Sequence, residues 1–182
     1  MRIHVTGNCG SGKTTLAKQL QELTGLPLFQ MDSLVWQPNW QPTPADIRDK
    51  TEKEWAGEAQ WIIEGVSRHA RKNADLIVFL DFPWPLCLYR ALKRTWELRH
   101  SNRAELTSCS ERNAFWPLLK TLWLYQKTTR KRILSELQDK SHVRFRMPSQ
   151  LARWQNTVLS SGKPVVLGCE GQAGNSSQRR KS

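Results

Sequence analysis

The eight residues from Gly7 to Thr14, GNCGSGKT, have the types and spacing to handle a phosphate. They fit G-x-x-x-x-G-K-S/T, in which glycines let the backbone turn with positive φ and bring successive N–H groups up to an anion. The lysine of such a loop reaches the β and γ phosphates of a nucleotide, and the neighbouring hydroxyl faces Mg²⁺. The helix that starts there directs its positive end at the phosphates. The expected cradle is Gly7, Gly10, Ser11, Gly12, Lys13, Thr14 and Thr15, with Thr14 toward the metal and Lys13 also acting on the transferred group. Cys9, inside the loop, is read as a small variable residue.

Acidic residues at strand ends supply the next part of the chemistry. WIIEG and ADLIVFLDFP read as strands buried on both faces, closing on Glu64 and Asp81. Either carboxylate can hold a Mg²⁺-bound water; Glu64 is preferred because its strand is expected beside the loop strand. Asp32 closes the expected strand LPLFQMD, where it can orient an acceptor hydroxyl or take its proton; helix or turn capping is the alternative. Trp36 and Trp40 follow in a proline-rich loop and either stack on the acceptor or serve packing. Arg90, Arg94, Arg99, Arg103 and Arg112 are the planar donors that phosphoryl transfer asks for, with Arg94 and Arg112 favoured as catalytic. A solvated basic helix face is the alternative, for Arg99 and Arg103 especially.

The elements that must position these residues alternate. Ile3 and Val5 mark a strand before the loop, and Leu16, Ala17, Leu20 and Leu23 mark one face of a helix that Gly25 and Pro27 stop. A helix opens at Pro44 and runs to about Gly57; another begins near Pro85. A long helix is expected over FWPLLKTLWLYQKTTRKRILSEL, a last strand at HVRFRM, and a last helix with Ser149 as N-cap. A folded domain over residues 1–159 and a basic tail over 160–182, Gly- and Ser-rich and expected to be disordered, complete the division. Alternation of this kind with acids at strand ends predicts a parallel α/β sheet with ligands along its carboxyl edge.

At 182 residues the chain suits one core. Cys9, Cys87, Cys109 and Cys169 include no C-x-x-C pair, so neither a disulfide framework nor a zinc site is suggested. No basic leader precedes the first strand and no apolar run has membrane-spanning length, so the expectation is a cytoplasmic protein, as a monomer or homodimer. The net charge of +12 is uneven: residues 1–89 carry 9 basic against 10 acidic residues, and residues 90–132 carry 11 against 3. A basic middle serves either nucleic acid or a set of arginines that close over triphosphate.

GNCGSGKTTLAKQL, MDSLVWQPNWQPTP, WIIEG, ADLIVFLDFPWPLCLYRALKR and SERN together resemble the P-loop kinases of the adenylate-kinase-like group, and more narrowly the bacterial DNA topology modulation proteins, over about residues 1–155. The resemblance implies a P-loop NTPase three-layer fold with a five-stranded parallel sheet, a substrate site beside the second strand, and an arginine-bearing lid, here about residues 99–113. It also implies ATP with Mg²⁺ and transfer of the γ-phosphoryl group to a small acceptor, such as a nucleotide or nucleoside. The family usually has Asp where Glu64 stands and a second acid where Ser33 stands. The other function compatible with the charge is nucleic-acid binding with a regulatory or vestigial ATP site, which is less favoured because no helix-turn-helix, RRM or zinc signature is present.

Overall fold

Strands of mainly Val, Ile, Leu and Phe with helices between them form the parallel sheet that their two-sided apolarity requires. The computed structural model describes residues 1–35, 43–100, 115–138 and 140–161. Its strands are β1 (Arg2–Gly7), β2 (Leu28–Gln30), β3 (Trp61–Glu64), β4 (Leu76–Leu80) and β5 (His142–Phe145). They pair in the order β2-β3-β1-β4-β5, all neighbours parallel. The helices are α1 (Lys13–Thr24), α2 (Met31–Val35), α3 (Ala45–Gly57), α4 (Arg68–Asn73), α5 (Trp84–His100), α6 (Phe115–Leu124), α7 (Arg130–Glu136) and α8 (Pro148–Ser161).

The period-two alternation of the strands splits the core between two faces. Ile3, Val5, Ile62, Val78 and Leu80 pack with Leu16, Ala17 and Leu20 of α1 and Val158 of α8. On the other face Trp61 and Ile63 meet Ala56 of α3 and Ala70 of α4, while Ile77 and Phe79 meet Ile133 of α7. His4 lies on this second face, fully buried, and its Nε2–H donates to the Gly65 carbonyl at 3.0 Å. Burial first, then the nearby Arg71 guanidinium, push the imidazole down to about 3. The unfolded chain therefore binds a proton below the ordinary histidine range that the folded chain refuses. Stability should fall as pH drops from about 6.5, by up to about 1.4 kcal/mol per pH unit. Urea midpoints between pH 6.5 and 5, above the range of ordinary carboxylates, should show that slope in the wild type and a flatter one in His4→Gln; equal slopes would remove His4 as the cause.

Three local expectations are corrected. β2 ends at Gln30, opposite Glu64, the last residue of β3, so the chain has no ladder left at Asp32. Met31 instead begins α2, where the Ser33 hydroxyl donates to the Gln30 carbonyl at 2.7 Å and Asp32 occupies the first turn. The long helix is interrupted by a π-helical turn over Tyr125–Thr129, and Arg130 follows it. Ser149 is not the N-cap of α8: the Gln150 side chain accepts from the Arg146 and Met147 amides at 2.8 and 3.1 Å, satisfying donors that precede the helix.

The π-helical turn offsets α7 by one residue and places Arg130 at the end of β4. Arg130 Nε and Nη2 donate to the two Asp81 carboxylate oxygens at 2.6 and 3.0 Å, and Arg144 Nε of β5 donates to Asp81 Oδ2 at 2.9 Å. This largely buried carboxylate ties together β4, β5 and α7. Asp81→Ala leaves two guanidiniums facing a vacated site and should cost about 3 kcal/mol or more. Chemical denaturation checks this; a loss under about 1 kcal/mol would mean that solvent replaces the carboxylate without penalty.

Candidate active site

The loop between β1 and α1 takes the shape its glycines permit. Gly12, at φ +91°, is the left-handed residue on which α1 starts, and Gly10, at φ +74°, passes so close to α5 that a Cβ there would fall on the Cys87 carbonyl oxygen. Asn8, not anticipated from the sequence, organises the turn. Its side-chain oxygen accepts from the Cys9 amide at 2.8 Å, and its carbonyl accepts from the Ser11 amide at 3.2 Å and from Lys13 Nζ at 3.1 Å. Gly7 lies under the loop, against Leu80, while Thr14 and Thr15 are exposed in the first turn of α1.

Glu64 is the carboxylate that the fold brings to this loop. In the β1–β3 ladder it stands opposite Val5, two residues before Gly7, and its side chain is 2% exposed. Lys13 Nζ lies 3.9 Å from Glu64 Oε1, and Thr14 follows Lys13 in the chain. Burial raises its proton affinity, the Lys13 ammonium opposes that, the Asp32 carboxylate adds to it, and the Thr14 hydroxyl again opposes it. Gln30, the last residue of β2, stands opposite Glu64, so Asp32, two residues further on in the first turn of α2, comes to the same sheet edge. Lys13, Thr14, Glu64 and Asp32 thus converge at the carboxyl ends of β1, β2 and β3, whereas Asp81 is engaged by two arginines.

The remaining expectations fall differently. Arg94 is exposed on α5 and has no partner among the described residues; Arg90, one turn earlier, places its guanidinium 5.5 Å from the centre of the Phe82 ring. Trp36, Trp40, Arg103, Arg112 and nearly all of the expected lid lie outside the described residues, as does the tail from residue 162. Arg99 belongs to the last turn of α5, and its side chain is outside what is described.

Four arginines that sequence reasoning did not single out surround the outer end of the site. Arg48 of α3, Arg68 and Arg71 of α4, and Arg132 of α7 line one cavity of about 360 Å³ together with Met31 and Val35, which flank Asp32 on α2. For Arg68 and Arg71 the available signal was the basic segment SRHARK, one residue after the acid-tipped WIIEG.

The residues present fit a nucleotide phosphate chain. The loop is closed by glycine where a side chain would collide, and Ser11 Oγ and Asn8 Nδ2 are buried in it without hydrogen-bond partners. Such groups cost about 1–3 kcal/mol each when left unmade. Among the described residues no three His, Cys, Asp or Glu side chains gather as a metal cluster. A Mg²⁺ ion here would draw on Thr14, on Glu64 through water, and on phosphate oxygens, the usual division for this ion.

The family model for the ATPase family associated with various cellular activities (AAA) matches residues 3–81, from β1 to the end of β4. Among solved structures, the shikimate kinase from Acinetobacter baumannii in complex with shikimate superposes with a TM-score of 0.51 at 17% identity, covering 90% of this chain and 95% of that one. The shikimate kinase from Bacteroides thetaiotaomicron does so with a TM-score of 0.51 at 15% identity, covering 88% and 97%. No curated protein matches the chain. Among the described residues no helix is long and apolar enough to cross a membrane. At these identities the likeness is one of fold: the chain has the P-loop NTPase fold in its kinase-like form, a five-stranded parallel sheet with helices on both faces.

Proposed function

We propose that this protein is a phosphotransferase that moves the γ-phosphoryl group of Mg²⁺ATP to a hydroxyl of a small acceptor. The observation that carries the reading is the convergence of Lys13, Thr14, Glu64 and Asp32 at one sheet edge, beside a cavity that opens past α2. Mg²⁺, held through Thr14 and Glu64, would supply neutralisation of the phosphate charge. The loop amides and the dipole of α1 bind the phosphates, and Lys13 exchanges the Asn8 carbonyl for phosphate oxygen. Glu64, buried beside Lys13, is placed to orient the Thr14 hydroxyl and a water that a bound cation would carry. Asp32 accepts a hydrogen bond from the acceptor hydroxyl. As that oxygen forms its bond to the γ phosphorus, the bond from phosphorus to the β–γ bridging oxygen breaks. ADP departs with that electron pair, and the hydroxyl proton passes to the Asp32 carboxylate.

In this reading Arg94 and Arg112 close over the transferring group and exclude water, as arginines of a closing segment do in phosphoryl transfer. The motifs over about residues 1–155 favour membership of the adenylate-kinase-like group, next to the bacterial DNA topology modulation proteins, and four scattered cysteines with no C-x-x-C pair suit the reducing cytoplasm. The test is ADP release with Mg²⁺ATP and a panel of nucleoside monophosphates, nucleosides and hydroxylated metabolites, against a blank with water as the only acceptor. Release above the blank with some acceptor is expected. Release equal to the blank across the panel, with ATP bound, would mark the protein as a hydrolase or a binding module.

A further inference from the structure

We propose that residues 163–167 of the carboxyl-terminal tail, KPVVL, fold back onto a groove between α1 and α8 and cover it within the same chain. The groove, of about 260 Å³, is lined by the middle and later turns of the two helices, away from the carboxyl edge of the sheet where both begin. The proposal is therefore independent of the phosphotransferase reading. Leu16, Ala17 and Leu20 of α1 are buried, but Leu23, next on the same apolar face and a lining residue, is 46% exposed. Across from it Val158 is buried, and the Trp154 ring packs on Phe145 with centroids 5.4 Å apart. The Trp154 indole N–H is buried at this groove with no acceptor among the described residues. A buried donor left unmade is costly, so the groove lacks both an apolar cover and a hydrogen-bond acceptor.

The tail supplies both. α8 ends at Ser161, three residues beyond the lining Val158. Gly162 is the residue type that takes a left-handed turn after a helix and reverses the chain, and Pro164 cannot continue the helix. Val165, Val166 and Leu167 follow, the one run of consecutive apolar residues between 162 and 182. From Ser161 to Leu167 an extended chain reaches about 20 Å, whereas Val158 and Trp154 are only about 6 Å apart along α8, so the run covers the groove with slack. The carbonyl groups of an extended segment provide an acceptor for the indole N–H, and Lys163 faces Glu22, the one charged residue of the lining. A second copy of the chain fits less well. Eight side chains line the groove, against about 20–30 residues a side in a stable interface between chains, while a tethered segment binds at an effective concentration in the millimolar range. Residues 163–167 thus leave the part of the tail expected to be disordered.

Photo-crosslinking in the full chain tests the fold-back. Protein carrying Leu23→p-benzoylphenylalanine, an exposed position that accepts the larger ring, is irradiated as a mixture of isotopically labelled and unlabelled chains, and the cross-linked peptides are mapped by mass spectrometry. Cross-links to residues 163–169 should join peptides of the same isotope, with a yield that does not change on dilution. Adding Val165→Asp and Leu167→Asp should cut that yield at least about tenfold, the factor that one lost aliphatic burial is worth. In chains with the native Leu23, exchange of the Trp154 indole proton, assigned with Trp154→Phe, should quicken by about the same factor in the double aspartate variant. That variant changes only the tail, so its urea midpoint should still report a folded domain. Cross-links that join different isotopes, absence of any link to 163–169, or a yield or an indole exchange rate unchanged by the two aspartates would each overturn the proposal.

Discussion

Lys13→Ala is expected to abolish the thermal stabilisation that Mg²⁺ATP gives the wild type. At a ligand concentration a hundredfold above Kd the stabilisation is about 2.7 kcal/mol, a rise in Tm of roughly 5–10 °C for a domain of this size. The Lys13 ammonium is 14% exposed and already in place, on the Asn8 carbonyl at 3.1 Å and 3.9 Å from Glu64. Its removal takes the mobile cation from the β and γ phosphates and leaves buried Glu64 without its counter-charge, so the variant repels the triphosphate as well as failing to attract it. Scanning calorimetry with and without Mg²⁺ATP makes the comparison; an undiminished rise in Tm in the variant would put the nucleotide elsewhere.

Asp32→Asn should do the opposite to the two activities, leaving ATP affinity intact and lowering transfer by about 10²–10⁴-fold, the range attributable to a positioned general base. The asymmetry follows from placement. Asp32 is exposed in the first turn of α2, touches none of the loop amides, and acts on Glu64 only through space in the direction that hinders ionisation. Neutralising it eases that hindrance, so metal and nucleotide binding should hold or improve while the acceptor loses the group that takes its proton. Initial rates at saturating ATP, with ATP affinity measured separately, test the split. Parallel loss of both would reassign Asp32 to the magnesium shell.

The loop, the strands and the strand-end acid were legible because each is written locally. GNCGSGKT encodes its own backbone geometry, and WIIEG and LIVFLD carry the continuous apolarity of doubly covered strands. What the residues left open was decided by pairing. Glu64 and Asp81 have the same local signature, and it takes the ladder to β1 on one side, and Arg130 and Arg144 on the other, to separate them. Arg130 is placed by a π-helical turn that no propensity marks, and it reaches Asp81 across 49 residues of sequence. The grouping of the cavity arginines was illegible for the same reason: SRHARK marks Arg68 and Arg71, but Arg48 and Arg132 lie on other helices, and only the fold brings all four to one cavity. Asn8 was passed over because the x positions of a glycine-rich loop have no fixed side-chain role, yet its amide and carbonyl hold three loop groups.

The most direct test of the central claim follows the label of γ-labelled ATP in the wild type and in Asp32→Asn, with the acceptor that gives ADP release above the water blank. Transfer through the Lys13, Thr14, Glu64 and Asp32 cluster predicts label covalently on the acceptor in the wild type, and in the variant a large loss of that product with ATP still bound. Label found only in inorganic phosphate with every acceptor, or acceptor labelling unchanged in Asp32→Asn, would contradict it.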